Sequence, residues 1–206
     1  ASNFAATHAA GAGGAALDLN AAFATDGALL RVEAGARPGK PIQLVFVSTG
    51  SEAQRLTTRN LVRVDAGAEV GILECHVGID GASRQTNAVT HVHVGEGARV
   101  DHVKLLAEGG HAQHVGAWLV EVEAGASYRA FQLTTDTGLA RNEIAVRFAG
   151  EHAKIDLSGA FLGRGSEHVD TTLVVDHAVG HCVSRELFKG VLDGRARGVF
   201  QGKVIV

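Results

Sequence analysis

Leu30-Arg31-Val32-Glu33-Ala34-Gly35-Ala36, Val62-Arg63-Val64-Asp65-Ala66-Gly67-Ala68, Val92-His93-Val94-Gly95-Glu96-Gly97-Ala98 and Val120-Glu121-Val122-Glu123-Ala124-Gly125-Ala126 are four versions of one phrase. Each alternates apolar and polar residues, bends at a glycine and closes on alanine. A fifth, looser copy ends Gly150-Glu151-His152-Ala153. The closing alanines stand at 36, 68, 98, 126 and 153, so the units repeat every 32, 30, 28 and 27 residues. Recurrence at such a period marks a solenoid. Alternation of period two puts Leu30, Val62, Val92 and Val120 on one face and Arg31, Arg63, His93 and Glu121 on the other, which is the geometry of strands. The alternation resumes past each alanine, with Val70, Val100, Tyr128 and Ile155 two residues on and Glu69, Arg99, Ser127 and Lys154 one residue on.

Each unit therefore supplies two strands flanking a tight bend at which glycine provides a positive φ. Stacked units pair each strand with its equivalent one coil away and merge the apolar faces into one interior. The expected fold class is all-β, a parallel β-helix with two-strand coils of about 27–32 residues. An up-and-down barrel or a sandwich would show regular hairpin signals. Asp-Gly occurs only at Asp26-Gly27, Asp80-Gly81 and Asp193-Gly194, too irregularly for them.

The bulk composition agrees. The 206 residues suffice for one core, and 27 glycines with two prolines and 46% hydrophobic residues describe a turn-rich, well-buried chain. A net charge of -3, with 19 basic residues spread along the sequence, leaves no basic stripe for nucleic acid. No apolar run approaches the ~20 residues that span a bilayer, so no membrane partner is expected and the expected location is the cytoplasm. Cys75 and Cys182 are far apart and match no disulfide or CxxC pattern, so reduced thiols are expected. The chain has no Met and stops within the apolar run Lys203-Val204-Ile205-Val206, which reads as a fragment of a longer polypeptide. Residues 1–27 are expected to hold a linker (Thr7 to Ala16) and a short helix (Leu17 to Ala24) stopped by Asp26-Gly27, and residues 28–206 the β-helix core. The polar stretch Gly50 to Arg59 reads as an external loop.

Eleven histidines are the first place to look for chemistry. His91 and His93 share the outward face with Arg31, Arg63 and Glu121, as a surface ladder. His102, His111 and His114 lie near the loop signal Gly109-Gly110 and receive no assigned role. The densest group, His168, Asp170, Asp176, His177, His181 and Cys182, occupies fifteen residues, and among these His177, His181 and Cys182 are the candidate metal ligands. The competing expectation is that His177 and Cys182 fill or edge the coil. Asp65, Asp101 and Asp156 fall on outward positions of different coils without the paired arrangement that sugar cleavage needs. No Gly-x-Ser-x-Gly elbow or phosphate loop is present. The chain is expected not to be an enzyme, with a carbohydrate-active or metal-binding β-solenoid as the alternative.

The C-terminal third adds His168-Val169-Asp170-Thr171-Thr172, Asp176-His177, His181-Cys182-Val183-Ser184-Arg185-Glu186-Leu187-Phe188-Lys189-Gly190-Val191-Leu192 and Gly198-Val199-Phe200-Gln201-Gly202-Lys203-Val204. With Leu19-Asn20, Ala22-Phe23, Pro41-Ile42, Val45-Phe46, Arg59-Asn60-Leu61, Asn87-Ala88-Val89-Thr90 and Leu139-Ala140-Arg141-Asn142-Glu143, these motifs resemble the SufB/SufD family, and its SufD branch in particular, from about residue 17 to 206. The resemblance implies a right-handed parallel β-helix flanked by helical parts. It also implies a scaffold subunit of the SufB-SufC-SufD complex for iron-sulfur cluster assembly, with SufB and the SufC ATPase as partners. The family's Cys-x-His-Gly motif near the SufB interface, its C-terminal helical domain and its SufC-docking segments have no counterpart here. No cofactor is therefore expected on this chain; the iron-sulfur cluster belongs to the assembled complex. The expected SufB-facing residues are Phe200, Gly202, Lys203, Val204 and Val206, with self-association possible through the same coil.

Overall fold

The computed structural model of the chain describes residues 14–50, 52–78 and 83–206. One helix, α1 (Gly14–Phe23), precedes thirteen strands. The odd strands are β1 (Leu29–Val32), β3 (Gln54–Val64), β5 (Arg84–Val94), β7 (Gly109–Val122), β9 (Thr137–Phe148), β11 (His168–Asp176) and β13 (Arg197–Ile205). The even strands are β2 (Ile42–Ser48), β4 (Glu69–Gly78), β6 (Arg99–Ala107), β8 (Ser127–Thr134), β10 (Lys154–Gly163) and β12 (Val183–Leu192). The odd strands form one seven-stranded sheet in chain order and the even strands a six-stranded sheet in chain order. Every strand pair is parallel. The chain is thus a parallel β-solenoid of two-strand coils.

The register is the one the repeat dictates. Leu30 lies beside Val62, Val62 beside Val92, and Val92 beside Val120, and the row continues through Val146, Val175 and Val204. On the facing sheet Val70, Val100, Tyr128 and Ile155 form the matching row. Val62, Val120, Val146, Ala68, Ala98, Ala126 and Ala153 are fully buried. Withdrawing each valine contributes roughly 1.5–3 kcal/mol. Because the sheets are parallel and in register, the contribution recurs from Val62 through Val175.

The bends carry the expected backbone: φ is 70° at Gly35, 67° at Gly67, 63° at Gly97 and 63° at Gly125. The next two bends place histidine there, His152 at φ 62° and His181 at φ 60°, with rings stacked at 5.3 Å. The same column carries the closing residue onward, because Val183 N–H bonds the carbonyl of Ala153 as Lys154 N–H bonds that of Ala126. Cys182 is therefore the sixth closing residue and packs against the main core, its thiol donating to the carbonyls of Gly150 and Gly180.

Two boundaries differ from expectation. Gly14 to Ala16 already belong to α1 rather than to a linker; the remainder of that stretch lies outside the described residues. Gln54 to Arg59 are not loop but the first half of β3, paired with Arg84 to Val89. Their polarity reflects their role as the seat of α1. Asn20 donates to the carbonyls of Thr58 and Asn87 at 3.0 Å each, Arg59 donates to the Asn20 amide oxygen at 3.1 Å, and Asn87 donates to the carbonyl of Ala16 at 2.9 Å. Leu17 completes the contact by packing on Val89 and Leu119.

Candidate functional site

The inward phase set by each closing alanine runs on along the strand, and midway it turns polar. Two, four, six and eight residues past Ala68 come Val70, Ile72, Glu74 and His76; past Ala98 come Val100, His102, Lys104 and Leu106. The facing strands send Thr86 and Thr90 inward from β5, and His114 and Trp118 from β7. All of these are buried. Parallel register puts Glu74 beside Lys104, Thr86 beside His114 and Thr90 beside Trp118. A charged column therefore fills one side of the lumen through its middle coils.

Glu74 is its hub. One carboxylate oxygen accepts from His76 Nε2 at 2.7 Å and lies 3.9 Å from Lys104 Nζ; the other accepts from Trp118 Nε1 at 3.1 Å and Thr90 at 3.3 Å, and lies 3.3 Å from His102 Nε2. His102 stacks on Trp118 at 4.3 Å and its Nδ1 meets the Tyr128 hydroxyl at 3.0 Å. Burial alone would raise the Glu74 pKa, but hydrogen bonds from His102 and His76, with the charge of Lys104, hold it well below the ordinary carboxylate value. Glu74 is thus an anion, and satisfying it requires several donors at once.

A second group adjoins the first. Glu108 accepts from Thr86 at 2.9 Å and from His114 Nδ1 at 2.9 Å, while His114 Nε2 lies 3.2 Å from Lys104 Nζ. Burial and the neighbouring Lys104 push the His114 pKa down to about 4, so the imidazole is neutral. With an ammonium on one side and a carboxylate on the other, its proton sits on Nδ1. Gly116 makes this contact possible: a Cβ there would lie 2.6 Å from His114 Nε2 and 2.8 Å from Lys104 Nζ. His76, Glu108 and His114 each offer a ligand atom, and the three atoms lie within 4.8 Å of one another. They form the one such group among the described residues.

The residues singled out from sequence lie elsewhere. His177 is on the core edge, its ring against Phe148 at 4.7 Å and its Nε2 3.2 Å from the Ser184 hydroxyl. His181 stacks on His152 at the bend, and Cys182 points into the coil. These three make separate contacts rather than one cluster. Phe200 stacks on Phe188 at 4.7 Å, and Phe200, Val204 and Val206 are exposed on and just past the edge strand β13, which also carries Gly202 and Lys203. His91 and His93 do lie in the outward rows, His91 accepting from Arg59 at 2.9 Å and His93 near Glu123 at 3.4 Å. His102 and His114, by contrast, belong to no loop. They are interior residues of β6 and β7, and only His111 of that trio is exposed. Carrying the inward phase four residues past Ala98 reaches His102, and carrying it six residues back from Val120 reaches His114.

The outward carboxylates Asp65, Asp101 and Asp156 each pair with arginine. Asp65 meets Arg31 and Arg63 at 2.9 and 2.8 Å, Asp101 meets Arg129 through both oxygens at 2.6 and 2.7 Å, and Asp156 meets Arg185 at 3.1 Å. No helix among the described residues is long and apolar enough to cross a membrane.

Comparison with known proteins matches residues 46–206 to the family model described as the SufBD core domain of the SUF system for FeS cluster assembly. The chain is 26% identical over 195 residues to the iron-sulfur cluster assembly protein SufD of Escherichia coli, covering 92% of this chain and 46% of that protein. It is 26% identical over 200 residues to an iron-sulfur cluster assembly SufBD family protein of Synechocystis, covering 92% and 44%. It is 29% identical over 198 residues to the chloroplastic protein ABCI7 of Arabidopsis thaliana, covering 91% and 41%. The chain thus spans less than half the length of these relatives. A match that runs through nearly the whole stack of coils, from β2 to β13, places the chain in the SufBD core-domain family of the iron-sulfur cluster assembly system.

Proposed function

We propose that the chain is the β-helical core of a non-catalytic scaffold subunit, which pairs with a SufB-type subunit and works with the SufC ATPase in building iron-sulfur clusters. The observation that carries this reading is the family match over residues 46–206. Two features of the molecule support it. Asp65, Asp101 and Asp156, outward carboxylates of different coils, are each paired with an arginine of a neighbouring coil rather than with one another. The edge strands β12 and β13 leave apolar side chains exposed, Val183 and Leu187 on the outer face of β12 and Phe200 and Val204 on the inner face of β13, beside backbone groups without a strand partner among the described residues. Such an edge is extended either by further chain or by a partner's strand. The iron-sulfur cluster in this reading is the product of the assembled complex, and the working location is the cytoplasm.

Co-expression of the full-length gene with SufB and SufC tests the proposal. Co-elution of the three as one complex is expected, with Phe200→Asp and Val204→Asp weakening recovery of SufB. Elution of the chain apart from both partners overturns it.

A further inference from the structure

We infer that the lumen of the solenoid holds a divalent transition-metal site built from His76, Glu108 and His114. The inference goes beyond the scaffold reading and stands on the lumen geometry alone.

Three observations lead to it. The donor atoms of the three side chains lie within 4.8 Å of one another, and all three residues are buried. His76 Nδ1 is buried without a hydrogen-bond partner. The ring is oriented from the other side: Glu74 Oε1 lies 2.7 Å from His76 Nε2, which leaves Nδ1 as the unpartnered nitrogen. A carboxylate holding the far nitrogen of a histidine is the arrangement that orients metal-ligating imidazoles and raises their basicity. An unpartnered polar nitrogen sealed in a protein interior is costly unless something binds it.

The remaining donors complete the set. Glu108 Oε2 and His114 Nδ1 stand 2.9 Å apart with a proton between them. Two ligands of one ion at about 2.0–2.2 Å lie roughly 3 Å apart when the angle at the metal is near 90°, so the ion takes the place of that proton. On binding, the ion displaces the Nδ1 proton, which leaves to solvent, while one proton passes from Lys104 Nζ, 3.2 Å away, to Nε2, so that the imidazole stays neutral and the lysine amine becomes the acceptor of that bond. Thr86 remains as donor to Glu108. Two imidazoles and one carboxylate with further positions open suit Zn2+ or Fe2+ and do not suit Mg2+ or Ca2+, which take all-oxygen shells.

The test uses the full-length chain, stripped with a chelator and titrated anaerobically with Co2+, whose visible absorption reports its ligands. One Co2+ per chain is expected, displaced by Zn2+ or Fe2+ and unaffected by excess Mg2+. His76→Ala and His114→Ala should each weaken binding at least 100-fold, and Glu74→Gln, acting through His76, about 10–100-fold. His111→Ala and His181→Ala should leave binding unchanged. Since a lumen variant can fail to fold, X-ray absorption on the unaltered cobalt- or zinc-loaded protein provides the second measurement. It should show two imidazoles with oxygen and no sulfur. Absence of binding by the unaltered protein, a sulfur ligand, or binding lost in Cys182→Ala and kept in His76→Ala overturns the assignment.

Discussion

Replacing Glu74 by alanine is the sharpest perturbation of the lumen. Its carboxylate is the common acceptor for His76, Trp118 and Thr90 and the nearest anion to Lys104, all of them buried. Removing it leaves at least three donors and an ammonium without their counterpart. Each orphaned donor costs about 1–3 kcal/mol. Water entering the vacated space and relief of the carboxylate's own desolvation recover part of this, which gives a net loss of about 3–5 kcal/mol. For a chain of this length that is roughly 6–20 °C in Tm. Asp101→Ala is the matched control, because it breaks a two-pronged ion pair with Arg129 of shorter distances but with both side chains more than half exposed. It should cost no more than about 1 kcal/mol. The chain has a single tryptophan, so the fluorescence of Trp118 reports the lumen directly while circular dichroism reports the strands. Combining Glu74→Ala with Trp118→Phe should destabilise by less than the two changes added, by about 1 kcal/mol or more, since the bond between them is lost only once. If Glu74→Ala and Asp101→Ala lower Tm equally, the claim that burial makes the lumen network consequential is wrong.

Other perturbations separate backbone, space and charge. Gly97→Ala and Gly39→Ala both add a methyl group into open space, but only Gly97 has a positive φ, at 63°; chemical denaturation should show a loss of about 1 kcal/mol at Gly97 and within about 0.5 kcal/mol of none at Gly39. Gly116→Ala drives a methyl group against His114 and Lys104, and should cost about 1–3 kcal/mol while changing Trp118 fluorescence little; a neutral outcome would show that the lysine moves freely. His91 accepts from Arg59 and must stay neutral, and burial with that guanidinium brings its pKa from 6.5 to about 4. The unfolded chain takes up a proton at His91 as pH falls below about 6.5 and the folded chain does not until about 4. This stabilisation is therefore full above 6.5 and is lost on descending to 4. His91→Gln should make the fall of Tm over that window shallower, and identical slopes would remove His91 from the account.

The legible part of the sequence was the part written in apolar residues. Val62, Val92 and Val120 recur at one phase, and a glycine with positive φ stands at each of the first four bends, so period and bend together left one architecture. Cys182 escaped the count of closing residues because the sixth copy has replaced both its glycine and its alanine, and only the hydrogen bond from Val183 to Ala153 identifies the column it occupies. The stretch from Gln54 to Arg59 misled for a related reason, since the Arg59 side chain and the Thr58 carbonyl hold a helix docked outside the sheet.

The lumen was hidden by the rule that made the fold readable. An alternating strand is oriented from its apolar residues, so where the inner face turns charged, as at Glu74, His76, His102 and Lys104, the pattern appears to end and the strand reads as solvated. The phase itself does not end: Val70 and Val100 fix it, and strand geometry allows no slip between Val100 and His102 without turning every later side chain to the opposite face. A charge on the inner phase of a parallel solenoid must therefore be paired inside, and Glu74 with Lys104, and His114 with Glu108, are the pairings adjacent coils provide. Burying such a network costs stability that valines in the same rows would have supplied. Its presence in the middle coils, beside an imidazole nitrogen left without a partner, is accounted for if the lumen binds an ion there, and it is in those coils that a ligand of this chain should be sought.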